Sequence, residues 1–138
     1  MNVLVDTSVW SLALRRKAPL SAADARLREE LAELIEEGRA RLIGPIRQEL
    51  LSGLAHEQQY VKVRDHLRAF ADEVLGRDDY EQAAAVGNRC RRTGLAGSAV
   101  DFLICAVASA RGWSVCTTDG DFRRFAEVVP VELHLARR

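Results

Sequence analysis

The first ten residues, MNVLVDTSVW (residues 1–10), decide how the rest of the chain is placed. Residues 2–5 are an apolar run that is too short for a helix and is typical of a buried strand. Asp6 follows this run directly, and residues 8–16, which include Trp10, are predicted to form a short helix. The stretch therefore predicts a buried strand, an acid at its carboxyl end and a helix beyond it.

Helical and strand patterns alternate along the rest of the chain. Ser21 is predicted to be the N-cap of a capping box with Asp24, and Gly38 is predicted to end the same helix. Helices are predicted at residues 21–38, 44–54, 60–70, 78–92, 99–110 and 122–126, and strands at residues 40–43, 73–75, 113–116 and 128–133. The alternation predicts an α/β fold in one domain, residues 1–138, with a parallel sheet covered on both faces. In such folds the ligand crevice lies at the carboxyl ends of the strands, where the strand order reverses.

The composition of the 138 residues is that of an ordinary globular protein, with 48% apolar and 29% charged residues. Twenty basic residues balance twenty acidic ones, so the formal net charge is zero. This balance argues against a protein that binds nucleic acid through overall basic charge. It is compatible with an enzyme that concentrates acid at its centre and base around the rim.

The three cysteines, Cys90, Cys105 and Cys116, are odd in number and scattered, and no C-x-x-C occurs. They are predicted to be buried free thiols and not a disulfide framework or a zinc site. The amino terminus lacks the features of a secretion signal, and no run of about 18 apolar residues occurs. These features predict a soluble cytoplasmic protein with no membrane segment.

Five acids are candidates for a functional site because of where they fall relative to the predicted strands and helices. Asp6 and Asp119 follow strands, so both belong at the carboxyl edge of a parallel sheet. The others are Asp121, two residues further on, Glu49 in the helix after Gly44-Pro45, and Asp101 in the first turn of an apolar helix.

Each acid also has a purely structural interpretation. Asp6 could cap the following helix, and Asp101 could complete a capping box with Ser98. Glu49 could be a solvated helix residue, Asp119-Gly120 an ordinary turn and Asp121 the N-cap of the last helix. The joint pattern, and not any single acid, favours a site.

A cluster of carboxylates requires neutralisation. Two unit charges about 4 Å apart cost about 4 kcal/mol at an effective dielectric constant near 20. The sequence places no Lys or Arg immediately beside Asp6, Glu49 or Asp101, so cations from solution are the natural partners. Hard divalent cations prefer oxygen ligands, and they activate water and relieve leaving-group charge in phosphodiester cleavage. The acids therefore predict a metal-dependent nuclease.

The segments that carry these acids resemble those of a PIN domain, and more narrowly of the VapC-type toxins of bacterial toxin–antitoxin pairs. The segments are MNVLVDTSVW, Glu49-Leu-Leu after Gly44-Pro45, Asp101-Phe-Leu-Ile-Cys-Ala-Val-Ala and Thr117-Thr-Asp-Gly-Asp-Phe122, in order over essentially the whole chain. The resemblance implies a three-layer α/β/α sandwich and a ribonuclease that depends on Mg²⁺ or Mn²⁺. It implies metal-binding roles for Asp6, Glu49, Asp101 and Asp119, and often for Asp121.

The roles of the individual residues are hypotheses at this point. Asp6 and Asp119 hold the main metal with Asp101 close by, and Glu49 serves a second metal or orients the attacking water. Residues predicted to contact the substrate phosphate or a metal-bound water are Thr7, Ser8, Thr117 and Arg123. The hydroxyl residues could instead form turns. The histidines His56, His66 and His134 lie away from the acids in sequence and are predicted to be surface residues.

The resemblance also implies partners: an RNA substrate, a cognate antitoxin and a second copy of the chain in a homodimer. The antitoxin is expected on an exposed apolar surface near Trp10 and Leu14. The basic group Arg15-Arg16-Lys17 is interpreted as a solvated helix face. Two departures from the family pattern, the glycine-rich residues 94–99 and Gly120, put substrate contacts in doubt more than catalysis.

Two other functions are compatible with parts of the pattern. Aspartyl-phosphate phosphatases and receiver domains also have a strand followed by Asp, but the phosphatases need a second Asp where Ser8 stands. Receivers need a paired acid near the start and a late Lys at a strand end. The other alternative is a non-catalytic PIN-like module that binds RNA or protein, and stabilisation by divalent metal would distinguish it from an enzyme.

Overall fold

The structure of the chain, a computed structural model, describes residues 1–15 and 19–137. The strands are β1 (Val3–Val5), β2 (Ala40–Arg41), β3 (Ser114–Cys116) and β4 (Glu132–Leu133). The helices are α1 (Thr7–Leu14), α2 (Ala22–Glu36), α3 (Gly44–Leu51), α4 (Glu57–Leu67), α5 (Arg77–Arg92), α6 (Ala99–Arg111) and α7 (Asp121–Val128). Within the described ranges, no helix has both the length and the apolarity to cross a membrane.

The four strands form one parallel sheet in the order β2-β1-β3-β4. Val3 pairs with Ala40 on one side and with Ser114 on the other. The helices flank this sheet, so the predicted α/β/α architecture is confirmed. The chain runs from β1 to β2 on one side of β1 and then returns to β3 on its other side. The strand order therefore reverses between β1 and β3, and their carboxyl ends flank the expected crevice.

The core lies on both faces of β1, whose three residues are completely buried. This burial explains why the strand is a continuous apolar run and not an alternating one. Helix α6 is buried over seven consecutive residues, Phe102 to Ala108, which matches its strongly apolar sequence. The three cysteines are free and buried, as predicted. Burial raises the pKa of Cys105 and Cys116 to about 12, so neither thiol is reactive near neutral pH.

Some predicted element boundaries are wrong. Residues 73–75 do not form a strand: a single parallel bridge joins Leu42 to Asp72, and the Glu73 amide donates to the Leu42 carbonyl. The last strand does not begin at residue 128, because Val128 ends α7. Phe122, Phe125 and Val129 are all buried at helical spacing. The helix therefore extends to Val128, although the valines at 128 and 129 favour a strand. The predicted helix end at Arg16 lies outside the described residues.

A buried carboxylate holds the carboxyl-terminal segment against α2. The side chain of Glu30 is 2% exposed, and it lies 2.9 Å from His134 Nε2 and accepts from Arg137 Nε at 2.9 Å. His134 is thus largely buried, and its prediction as a surface residue was wrong, whereas His56 and His66 are exposed. Burial alone would raise the pKa of Glu30, but the His134 and Arg137 contacts outweigh it and lower that pKa.

We expect Glu30→Gln to lower the free energy of unfolding by about 1–3 kcal/mol at neutral pH, because charged hydrogen bonds become neutral ones in a buried site. Since the folded-state pKa of Glu30 is lowered, its contribution is present above the ordinary value of 4.5 and is lost as the pH falls through the lowered pKa. Urea unfolding at several pH values measures this. If the difference in unfolding free energy between wild type and Glu30→Gln grows as the pH falls, the lowered pKa of Glu30 is contradicted.

Candidate active site

Asp6 joins the carboxyl ends of β1 and β3. Its amide donates to the Cys116 carbonyl at 2.9 Å, which continues the sheet by one residue. Its carboxylate is the N-cap of α1, where Oδ1 accepts from the Thr7 amide at 2.8 Å. Oδ2 accepts from the Ser8 and Thr117 hydroxyls, both at 2.8 Å. The capping interpretation of Asp6 is therefore confirmed. Its capping role is compatible with a position at the crevice between β1 and β3.

The loop after β3 is held to α1 by hydroxyl groups. Ser8 Oγ accepts from the Thr118 amide at 3.0 Å, and Thr117 Oγ1 accepts from the Asp119 amide at 3.0 Å. Asp119 Oδ1 accepts from the Asp121 amide at 2.9 Å, so Asp119 orders the start of α7. Gly120 is the N-cap of α7, and the alternative in which Asp121 is the N-cap is wrong.

Asp101 begins α6 at the same edge of the sheet. It forms the capping box expected with Ser98: Oδ2 accepts from the Ser98 amide at 3.0 Å, and the Asp101 amide donates to Ser98 Oγ at 3.1 Å. Burial raises the pKa of Asp101, and although the Ser98 hydrogen bonds oppose this, the like charges of Asp6 and Asp119 add to it. The three acids from three separate elements therefore share one electrostatic environment.

Glu49 reaches the site from α3. Its Oε1 accepts from the Thr7 hydroxyl at 2.9 Å, and Thr7 is the neighbour of Asp6. The Arg15 guanidinium donates to the Glu49 backbone carbonyl at 3.5 Å, and it forms no salt bridge with the Glu49 carboxylate. Glu49 is exposed, and Asp121 is exposed as well. The structure thus brings Asp6, Asp101 and Asp119 together with Glu49 linked through Thr7, and it leaves Asp121 at the rim.

The ion pairs of the described residues do not involve these five acids. In residues 1–15 and 19–137, no Lys, Arg or His forms a salt bridge with any of the five. Within the same ranges, no three acids are gathered into a ready-made metal-binding group. The donor set nevertheless suits a hard divalent cation, because it consists of carboxylate oxygens with mutually repelling charges.

The glycine-rich segment before Asp101 has a packing role that the sequence did not reveal. A Cβ at Gly97 would lie 2.8 Å from the Phe102 ring and 2.9 Å from the Phe125 ring. The two rings are buried and pack edge to face, with centroids 5.4 Å apart. Only a residue without a side chain lets the loop pass this close, so Gly97 sets the position of the helix that carries Asp101.

We expect Gly97→Ala to destabilise the protein by about 1–3 kcal/mol, because the added methyl group must displace two packed rings. Gly120→Ala is the matched control, since nothing lies within 4 Å of a Cβ there. Thermal unfolding of both variants provides the measurement. Equal melting temperatures for the two variants would show that the Phe102 and Phe125 rings can move aside without loss of stability.

Arg123 lies beside the acidic loop on α7. It lines a small pocket of 80 Å³ together with Thr117, Asp119 and His134. Its side chain is exposed and has no carboxylate partner within the described part of the chain. This position is compatible with the predicted contact to a substrate phosphate.

The apolar surface that was predicted to be exposed near Trp10 and Leu14 is largely buried. Trp10 is 1% exposed and packs edge to face on Phe70, with ring centroids 5.1 Å apart. Leu14 is half-buried and packs against the core. Helix α1 packs against α2 and α3, and these helices cover its apolar face. The basic pair Arg16-Lys17 lies outside the described residues.

The sequence pattern of the PIN domain matches residues 3–128, and this span contains all five acids. The chain belongs to the PIN domain family. The family assignment made from the motifs is therefore confirmed. No curated protein sequence matches this PIN domain significantly.

Solved structures confirm the PIN fold. FitAcB from Neisseria gonorrhoeae is 23% identical, with a TM-score of 0.73 and 96% of each chain covered. VapBC2 from Rickettsia felis, bound to a DNA fragment from their promoter, is 17% identical, with a TM-score of 0.72 over 97% of this chain and 98% of that one. VapBC-5 from Mycobacterium tuberculosis, a member of a family of toxin–antitoxin systems, is 20% identical, with a TM-score of 0.68 over 96% and 98%.

Proposed function

We propose that this PIN domain is an endoribonuclease that depends on Mg²⁺ or Mn²⁺ and acts as the toxin of a toxin–antitoxin pair. The observation that carries the proposal is the shared environment of Asp6, Asp101 and Asp119. Burial raises the pKa of Asp101, and the like charges of Asp6 and Asp119 add to this. None of the three forms a salt bridge within the described residues. PIN domains of the VapC type are generally nucleases, which supports the same reaction class.

The hydrogen bonds indicate which carboxylate oxygens are available to a metal. Asp6 Oδ2 accepts two hydroxyls, whereas Oδ1 accepts one amide and keeps a lone pair. In the described part of the protein, Asp101 Oδ1 and Asp119 Oδ2 accept no hydrogen bond, because the bonded oxygen is the other one in each case. We assign metal binding to these three oxygens. When bound, Mg²⁺ or Mn²⁺ supplies charge stabilisation and a more acidic water.

Glu49 is the residue best placed to accept a proton from the attacking water. Thr7 holds Oε1, and Oε2 has no partner among the described residues, so one oxygen is oriented and the other is free. Its exposure keeps the free oxygen accessible to water and substrate. A role beside a second metal is the alternative for this residue, and Asp121 at the rim would assist from the opposite side of the loop.

The hydroxyl residues have positioning roles. Ser8 and Thr117 donate to Asp6, and Thr7 donates to Glu49, so each hydroxyl proton is already used. This favours holding the acids in place over the direct phosphate contact that the sequence suggested. Arg123, beside Asp119, keeps the proposed phosphate contact because its guanidinium has no carboxylate partner in the described ranges.

The proposed partners follow from the structural relatives. VapBC-5 belongs to a toxin–antitoxin family, and FitAcB and VapBC2 have the same fold, so a cognate antitoxin is the expected protein partner. A homodimer and a cytoplasmic location belong to the same proposal. Co-purification of the untagged chain with the product of a neighbouring short reading frame tests the antitoxin, and sedimentation tests the dimer.

Cleavage of RNA in the presence of Mg²⁺ or Mn²⁺ is the direct test of the proposal. We expect EDTA to abolish cleavage and added Mn²⁺ to restore it, because the charge stabilisation depends on the cation. Cleavage that persists in EDTA would overturn the metal-dependent reaction.

A non-catalytic binding module is the alternative function, and one observation favours it: the acids of the described residues are not gathered into a three-ligand metal site. The melting temperature distinguishes the two. A metal that binds only the folded state at about 100 times its dissociation constant stabilises it by about 2.7 kcal/mol. No rise of the melting temperature with Mn²⁺, together with no cleavage, would support the binding module.

A further inference from the structure

The outer face of α5 runs from Arg91, which lies near the acids of the candidate site, to Tyr80 near the start of the helix. We infer that a single-stranded RNA leaving the active site runs along this face, with a phosphate at Arg91 and a base stacked on Tyr80. The inference rests on the proposed ribonuclease function and adds a binding track for the substrate. The track begins beside Asp101, because the next residue, Phe102, is the one on which Arg91 lies.

Arg91 is held in place without losing its charge. Its guanidinium carbon lies 5.5 Å from the centroid of the Phe102 ring, and Nη1 donates to Asn88 Oδ1 at 3.1 Å. Gly87, whose Cβ would lie 2.8 Å from the Phe102 ring, lets α5 approach that ring. No carboxylate bonds to Arg91 in the described residues, so the remaining donors are available to a phosphate.

A cleft of 280 Å³ connects Arg91 with Tyr80 along the helix. Its lining includes Tyr80, Ala84, Asn88, Arg91, Ala99 and Phe102. The eleven positions from Tyr80 to Arg91 correspond to about 16 Å at the helical rise of about 1.5 Å per residue. The alanines keep the floor shallow, and Tyr80 is 54% exposed at the far end. A single-stranded RNA lying in the cleft would therefore contact the Arg91 guanidinium near the site and the Tyr80 ring further away.

The chemistry of this face favours nucleic acid over protein. An exposed aromatic ring and a guanidinium along one groove are the elements that bind single strands without reading their sequence. Arg89 and Arg92 are exposed at the same end of α5, and no carboxylate of the described residues pairs with them. Helix α7, which carries Arg123, packs against α5. Arg123 and the arginines of α5 therefore lie on two helices that contact each other.

Binding of a labelled single-stranded RNA, measured by fluorescence anisotropy in an Asp6→Asn background with Mg²⁺, tests the track. We expect Tyr80→Ala to weaken binding about tenfold through lost stacking without changing its salt dependence. Arg91→Gln should weaken binding and reduce the slope of log Kd against log salt by about 0.7, and Arg91→Lys should restore the slope. Tyr60→Ala and Arg68→Ala, exposed residues of α4 and its C-cap, are matched controls.

The outcomes separate the track from the function on which it rests. Unchanged affinity and salt slope in both α5 variants, in a protein that cuts RNA, would overturn the track alone. A change of self-association in sedimentation, with unchanged RNA binding, would show instead that a second copy of the chain occupies this face. A wild-type chain that neither binds nor cuts RNA would overturn both the track and the proposed function.

Discussion

Replacing Asp6 with asparagine is expected to reduce RNA cleavage by about a thousandfold. Asp6 contributes one free carboxylate lone pair to the proposed metal site, and its other contacts fix the ends of β1 and β3. An amide group has one acceptor oxygen in place of two, so either the Thr7 amide or the two hydroxyls lose their acceptor. The kcat for RNA cleavage at saturating Mn²⁺ measures the effect.

The loss of a helix cap must be separated from the loss of a metal ligand. Ser21→Ala removes the N-cap of α2, where Ser21 accepts from the Asp24 amide far from the acids in the chain. We expect that variant to lose about 1 kcal/mol of stability and to keep full activity. If Asp6→Asn retains substantial activity, or if Ser21→Ala loses as much activity, the assignment of Asp6 to the site is wrong.

Asp101→Asn is expected to have opposite effects on activity and stability. Cleavage should fall at least about a hundredfold, because a proposed metal ligand loses its charge. The metal-free protein should become more stable by roughly 0.5–1 kcal/mol, because the substitution removes a partly buried charge and its repulsion by Asp6 and Asp119. The asparagine oxygen can still accept from the Ser98 amide, so the helix cap is kept. Thermal unfolding without metal measures the stability, and the rate of RNA cleavage with Mn²⁺ measures the activity.

Asp79→Asn is the matched control for this prediction. Asp79 occupies the same position in α5 that Asp101 occupies in α6, and it accepts from the Gly76 amide at 2.9 Å. It differs in its neighbour: Arg111 Nη1 donates to it at 2.8 Å, which lowers the pKa of Asp79. We therefore expect Asp79→Asn to destabilise the protein by about 1–2 kcal/mol and to leave cleavage unchanged.

The pH dependence of the two variants should also be opposite. The pKa of Asp101 is raised, so the stability that wild type has at low pH is lost as the pH rises through that folded-state pKa. The advantage of Asp101→Asn should therefore be present at neutral pH and vanish in acid. The pKa of Asp79 is lowered, so its contribution is present above 3.8 and lost as the pH falls. The same sign for both variants at neutral pH would contradict the electrostatic account.

Much of the fold could be predicted from local patterns. β1, α5 and α6 have one dominant pattern each, either an uninterrupted apolar run or a capped helix of sufficient length, and tertiary contacts agree with it. The errors fall where the local signal is short. Residues 73–75 contain apolar residues that resemble a strand, but only one bridge, between Asp72 and Leu42 directly after β2, joins this segment to the sheet. The sequence of α1 also did not reveal that other helices cover its apolar side.

The sequence by itself determined which acids this protein has and which strand or helix each of them follows or belongs to. Those features depend on residue periodicity and on capping, which act over a few neighbouring residues. Only the tertiary structure decided which acids carry uncompensated charge. Asp79 and Asp101 have the same local role as capping acids in the first turn of a helix. Their pKa values shift in opposite directions because packing places an arginine beside Asp79, whereas it buries Asp101 with two further carboxylates nearby.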